Sequence, residues 1–232
     1  MLLQLKDFAP ERVTSSVSRS ALKSRRKRSL DMQIDWPILI GASLLLFFPA
    51  SWIYPAAAKE RLSTYQSGRF RFGRMLGTWQ HWFDLIRACA GTYLLVEFAV
   101  LIDTEFVVEP SEKYLRWGLI GVILTLAVIR QTVQHRQVFY FTAPVFYLWG
   151  ITIALMDPFP AAFSIIFSSL FARSLDHVEL KFPTMAVLLG VSVYLISGSS
   201  ILLALNVFLI ILPLFIAVAS MGHLVCYVRG LT

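Results

Sequence analysis

Apolar residues fill this chain in long blocks that short polar stretches separate. The longest block runs from Phe182 to Val228, 47 residues without an Asp, Glu, Lys or Arg. As one α-helix it would be roughly 70 Å long, more than twice the roughly 30 Å hydrocarbon thickness of a bilayer. The block therefore predicts two membrane-spanning helices. The turn between them is expected at Ser197-Gly198-Ser199-Ser200, or near Asn206, which would divide the block more evenly.

The remaining blocks predict five more helical segments. These are 36–58, 85–102, 115–129, 138–156 and 161–172, the last expected to continue to Lys181 as an amphipathic end. The mean hydropathy is +0.67. Only 15% of the 232 residues are charged, against about a quarter in soluble proteins. The sequence therefore predicts an all-α, polytopic integral membrane protein with about six transmembrane helices and a proline-broken, re-entrant or interfacial first segment.

The first 35 residues have a different character. They are polar and rich in Ser, Lys and Arg, with Arg25-Arg26-Lys27-Arg28 at their centre. Nothing in them is periodic enough to pack. We interpret residues 1–35 as a flexible basic cytoplasmic arm and residues 36–232 as the helical membrane domain.

The distribution of Lys and Arg bears on the orientation. If all seven segments cross the membrane, the bases outside it divide 10 to 10. If residues 36–58 instead dip in and return, the division becomes 18 to 2, which the positive-inside rule favours. Pro49 supplies a reason for a bend. This predicts cytoplasmic N- and C-termini in a bacterial inner membrane, with an organelle membrane as the alternative and a proline-kinked single crossing as the other path.

One carboxylate lies inside an apolar segment. Glu97 falls within the predicted span 85–102, where an ionisable group costs about 2.5 to 3.5 kcal/mol on insertion scales. Tyr93 lies one turn earlier on the same face. Glu97 is either a proton- or cation-coupling carboxylate or a carboxyl that snorkels to the nearby acidic loop. Asn206, the only Asn in the chain, is expected to hydrogen-bond between helices or else to contact a substrate.

Arg87 is a base inside the apolar segment 85–102. We explain it by an ion pair with Asp84, three residues earlier, and by snorkelling to the cytoplasmic headgroups.

Basic side chains elsewhere predict binding to the membrane surface. Arg69, Arg71 and Arg74 in the connector after residue 58, together with Arg25 to Arg28, are expected to bind anionic lipid headgroups. The further partners expected are other membrane subunits or copies of the same chain, and nucleic acid is not expected.

Metal and nucleotide chemistry have little support. His177, His223 and Cys226 are weak candidate metal ligands, and no two-histidine helical motif occurs. The phosphate-binding glycine motifs are absent, so no cofactor is expected.

The function that these patterns favour is a non-catalytic integral membrane subunit, scaffold or assembly factor with a basic cytoplasmic face. The second hypothesis is a small transporter or channel subunit that uses Glu97, because broken helices are typical of such sites. The third is an intramembrane enzyme with a cytoplasmic rim of His, Asp and Glu.

Overall fold

The computed structural model describes residues 33–48, 76–77, 79–101, 110–133, 140–174, 179–198 and 200–225. This part of the chain is mostly helical, as predicted. Its elements are β1 (Gln33–Ile34), α1 (Trp36–Phe47), α2 (Trp79–Leu94) continued by a π-helical segment (Leu95–Ala99), β2 (Val100–Leu101), α3 (Pro110–Val133), β3 (Tyr140–Thr142), α4 (Val145–Leu155), α5 (Pro158–Ser174), α6 (Lys181–Ser197), α7 (Ile201–Ala219) and β4 (His223–Val225).

Local sequence sets both ends of α1. The Asp35 side chain accepts a hydrogen bond from the Ile38 amide, 3.2 Å, and Pro37 occupies the first turn, where its missing N–H has no cost. Phe48 has left the helical conformation, and Pro49 follows it. A residue that precedes proline is driven away from helical geometry, so the helix ends after only 12 residues, roughly 18 Å.

Helix α1 runs antiparallel to α2 along most of its length. At one end the Asp35 amide donates to the Ala99 carbonyl, 3.1 Å, and β1 pairs antiparallel with β2. At the other end the rings of Phe48 and Phe83 meet edge to face with centroids 6.4 Å apart. We call the end of the bundle with the β1–β2 pair end A, and the end with Phe48 and Phe83 end B.

The first half of the segment predicted to be re-entrant is described, and its second half is not. Because α1 begins at end A and Phe48 lies at end B, residues 33–48 run from one end of the bundle to the other. A backbone strand pair and a capped helix start hold Asp35 beside Ala99. Residues 49–58, which would have to return in the re-entrant prediction, lie outside the described residues.

The remaining helices alternate between the two ends. Helix α4 lies parallel to α2, with Phe146 stacked on His81 at 5.0 Å near end B. β3, just before α4, pairs in parallel with β4, so the described residues nearest the two termini, Gln33 and Val225, lie at opposite ends. The two termini, for which the sequence predicts a shared cytoplasmic side, lie outside the described residues.

Helix α4 forms the core of the bundle. Nearly all of its residues are buried, including Phe146, Tyr147 and Ile151. Gly150 allows it to approach α2, because a Cβ at this position would lie 2.4 Å from the Leu85 carbonyl oxygen. The two helices therefore pack with their backbones close together at this point.

The turn in the charge-free block lies where its Ser/Gly signal predicted. Gly198 has a φ of +75°, a conformation that glycine adopts without strain, and the Ser200 side chain accepts from the Leu203 amide to begin α7. Asn206 is inside α7. The predicted extension of the preceding helix to Lys181 is wrong, because α5 ends at Ser174 and Lys181 is the first residue of α6.

Two of the described helices are long and apolar enough to cross a membrane. They are α3, from Tyr114 to Val133, and α7. Helices α1, α4 and most of α6 are apolar but shorter. The segment expected to begin at Val138 starts as helix only at Val145, since residues 140–142 pair with β4 instead. Length and composition thus indicate two candidate membrane spans among the described helices.

Candidate functional site

A group of polar side chains surrounds the broken end of α1. The last four carbonyl groups of any helix have no intrahelical donor, and a buried end must find donors elsewhere. Here the donors come from three other helices: Arg87 on α2, Gln131 on α3 and Tyr147 on α4. We call these three residues, together with Asp84, the helix-end cluster.

Arg87 provides the positive charge of the helix-end cluster. Its side chain is only 2% exposed. Its Nη1 donates to the carbonyl oxygens of Leu45, 3.1 Å, and Phe48, 2.9 Å, with Leu46 at 3.5 Å. Its Nε binds the Asp84 carboxylate at 2.7 Å, which is the ion pair that the sequence predicted. The guanidinium does not snorkel to a surface, because it is buried against the end of α1.

The Leu46 carbonyl is the meeting point of the helix-end cluster. It accepts from the Tyr147 hydroxyl at 3.0 Å and from the Gln131 amide at 3.4 Å, in addition to Arg87. Gln131 also donates to the Phe48 carbonyl at 3.2 Å. The Tyr147 ring lies 5.0 Å from the guanidinium carbon, so it contacts the cation through its π face. One helix end is therefore bound by side chains from α2, α3 and α4.

A second arginine satisfies another helix end. Arg116, near the start of α3, donates to the Val96 carbonyl in the π-helical segment, and its guanidinium lies over the Trp117 ring at 5.3 Å. Val96 belongs to the last turn before β2, where carbonyls again lack intrahelical donors. Both arginines thus stabilise interrupted ends of helices.

Asn206 joins two helices. It is 1% exposed, and its Oδ1 accepts from the Thr152 hydroxyl of α4 at 3.2 Å. Its Nδ2 has no hydrogen-bond partner within the described part of the chain. This geometry corresponds to the interhelical hydrogen bond that the sequence suggested for Asn206.

Glu97 lies in the π-helical segment, on the outer surface. The segment ends two residues later at Ala99, and Glu97 is exposed rather than directed into the bundle. Tyr93 is 51% exposed and touches the Phe98 ring edge to face. The structure therefore does not bring Glu97 and Tyr93 together with the buried Asn206.

A buried lysine was missed by the sequence reasoning. Lys181, 1% exposed, donates to the Ser169 hydroxyl at 2.7 Å and lies 4.2 Å from the centre of the Trp149 ring. It connects the start of α6 to α5 and α4. The sequence predicts Lys181 at the exposed end of the preceding helix, because no local signal shows that Lys181 begins the next one.

The remaining predicted site residues belong to other parts of the chain. His177 and Cys226 lie outside the described residues, as do the side chain of His223 and the predicted lipid-binding residues Arg25, Arg26, Lys27, Arg28, Arg69, Arg71 and Arg74. Within the described ranges, no group of three or more His, Cys, Asp or Glu could hold a metal ion.

The described chain is thus an all-α protein with a buried polar cluster at one broken helix. Comparison with protein-family models, with curated proteins and with solved structures gave no match.

Proposed function

We propose that the chain is a polytopic α-helical membrane protein. Large apolar side chains face outward on every helix longer than 12 residues, among them Leu126, Phe167, Leu195 and Phe215, with Leu195 77% exposed. An apolar surface of this kind is unfavourable in water but is typical of helices that contact lipid. Helix α2 with its π-helical segment spans residues 79–99, roughly 31 Å, which is also long enough to cross.

Within that membrane domain we propose the role of a non-catalytic subunit, scaffold or assembly factor. The observation that carries this proposal is the use of the buried polar side chains: Arg87, Gln131 and Tyr147 bind the end of α1, and Asn206 and Lys181 bind neighbouring helices. Such bonds fix the positions of helices relative to one another. A bundle held in this way presents a constant outer surface to partners.

Photo-crosslinking tests this role. A photoreactive amino acid replaces Val187 or Leu195 on the outer face of α6, and Ala186, which is buried, serves as the matched control. Irradiation of membranes should give a crosslinked protein band from one or both outer positions and none from position 186. Identification of the band by mass spectrometry distinguishes another subunit from a second copy. Crosslinks to lipid alone from a series of outer positions covering all the helices would reject the subunit role.

A transporter is the second candidate, because one observation favours it. Helix α1 breaks within the bundle, and carriers place ion and substrate sites at such breaks. The site would then be Asp84 and Arg87, not the exposed Glu97. Purified protein in liposomes should then move a small cation or anion, and Asp84→Asn should abolish that flux while Glu97→Gln preserves it. Equal flux in Asp84→Asn would reject this site.

The proposed lipid partner rests on the sequence. Eight bases precede Trp36, and each should contribute about 1 kcal/mol near an anionic surface, less at high salt. A peptide of residues 1–35 should bind vesicles containing phosphatidylglycerol and release in high salt. Equal binding to vesicles of phosphatidylcholine would remove the electrostatic explanation.

A further inference from the structure

Four oxygen atoms from α1 and α2 converge on the Arg87 side chain. The Asp84 carboxylate lies 2.7 Å from Nε. The carbonyl oxygens of Leu45, Leu46 and Phe48 lie 3.1, 3.5 and 2.9 Å from Nη1. Because the three carbonyls end α1, they also carry the partial negative charge of its dipole.

This set of ligands is the kind that binds monovalent cations. Unwound carbonyls at the C-terminal ends of interrupted helices coordinate Na⁺ in carriers, and rings of carbonyls coordinate K⁺ in channels. The Tyr147 ring, 5.0 Å from the guanidinium carbon, adds the attraction of its π face. Carboxylate, carbonyls and ring together would hold a positive charge at this point whether or not it were covalently attached.

The match to a guanidinium is incomplete. A guanidinium has five N–H donors, and the oxygens of Asp84 and of the end of α1 accept from Nε and Nη1. Nη2 is buried and has no hydrogen-bond partner among the described residues. The guanidinium therefore has more donors than the surrounding oxygens engage.

We propose that the broken end of α1 is a monovalent-cation site in which the Arg87 guanidinium takes the place of a free ion. The intact chain then needs no Na⁺ or K⁺ for its stability, and it gains such a dependence when the arginine side chain is removed. This inference goes beyond the proposed role as a subunit, since it concerns what holds α1 in place whatever the partner.

The test compares thermal unfolding of detergent-purified variants in choline chloride with unfolding in NaCl, KCl or methylguanidinium chloride. Arg87→Ala should unfold at a lower temperature than the wild type in choline. One of the three cations should then restore at least about half of the lost Tm, with a rise that follows the logarithm of its concentration. The wild type and Arg130→Ala, an exposed arginine in the last turn of α3, should show no such dependence.

The carboxylate provides a second check. The double variant Asp84→Asn, Arg87→Ala keeps the carbonyls but loses the formal charge, so cations should stabilise it far less than Arg87→Ala. The proposal would be overturned if none of the three cations raised the Tm of Arg87→Ala. It would also be overturned if they raised the Tm of the double variant as much as that of Arg87→Ala.

A third comparison covers the case in which Arg87→Ala does not fold. Arg87→Lys retains a cation that the carbonyls can bind, whereas Arg87→Gln retains donors without charge. In choline, Arg87→Lys should unfold at a higher temperature than Arg87→Gln. Equal Tm values, or a more stable Arg87→Gln, would show that no cation is required there.

Discussion

The Asp35 amide donates a hydrogen bond of 3.1 Å to the Ala99 carbonyl, and this contact places the start of α1 beside the end of the π-helical segment. Helix α1 therefore runs from end A to end B, and α2 runs from end B to end A. Gln33 lies at end A and Phe48 at end B. If all seven apolar segments cross a membrane, the bases outside it divide 10 to 10, and the positive-inside rule does not fix the orientation.

This arrangement predicts which positions share a side of the membrane. In a background without Cys89 and Cys226, single cysteines at Gln33 and Ser200 should react with an impermeant thiol reagent from one side. Cysteines at Gly77 and Ser220 should react from the other, because Gly77 precedes α2 and Ser220 follows α7 at end B. Labelling of intact cells reports the positions on the outer side of the membrane, and labelling of inverted vesicles reports those on the inner side. If positions 33 and 77 reacted from the same side, α1 would not cross.

Gly150 is predicted to tolerate no side chain. In Gly150→Ala the added Cβ would lie 2.4 Å from the Leu85 carbonyl oxygen and 2.9 Å from the Cys89 amide nitrogen, and backbone atoms cannot move aside cheaply. We expect a loss of about 1 to 3 kcal/mol, seen as a lower Tm in detergent. Gly190→Ala is the control, because nothing lies within 4 Å of its Cβ and alanine favours a helix by about 1 kcal/mol. Equal Tm values for the two variants would contradict this packing.

Much of the fold could be predicted from the sequence because the signals for its helix ends and turns are local. Pro49 predicted the break that ends α1, and Gly198 with its serines predicted the turn before α7. Hydrophobicity located each described helix, with starts that differ from the predicted ones by up to seven residues, at α4. It could not show that residues 140–142 pair with β4, since a three-residue parallel strand depends on a segment about 80 positions away, a separation that no local pattern encodes.

Only part of the helix-end cluster could be predicted from the sequence. The Asp84–Arg87 pair follows from helical spacing, but its burial does not. A signal did exist: the proline break leaves carbonyls without donors, and Arg87 is a base deep inside the apolar segment 85–102. The choice of Gln131 and Tyr147 as the other donors depends on how α3 and α4 pack, which charge and hydropathy do not specify.

The hydrogen bond between Thr152 and Asn206 should contribute measurably to stability. Thr152→Val and Asn206→Leu each remove one partner, and a double-mutant cycle isolates their coupling. We expect a coupling energy of about 0.6 to 2 kcal/mol, the range known for such bonds between membrane helices. Thr184→Val is the matched control, because the Thr184 hydroxyl donates only to the Leu180 carbonyl, four residues earlier in the chain. A coupling energy of zero would show that α4 and α7 are held by packing alone.

Glu97 provides the sharpest test of the two hypotheses that the sequence left open. Its position on the outer surface, two residues before the end of the π-helical segment, predicts a carboxyl that reaches the nearby surface rather than a working group in the interior. Glu97→Leu should then be as stable as the wild type or more so, because it removes an ionisable group that is costly to place against lipid. Asp84→Leu, which removes the partner of the buried Arg87, should lose stability by about 3 to 5 kcal/mol. Thermal unfolding in detergent compares the two, and growth complementation reports any activity. A Glu97→Leu protein that folds normally but fails to complement would restore Glu97 as a coupling carboxylate.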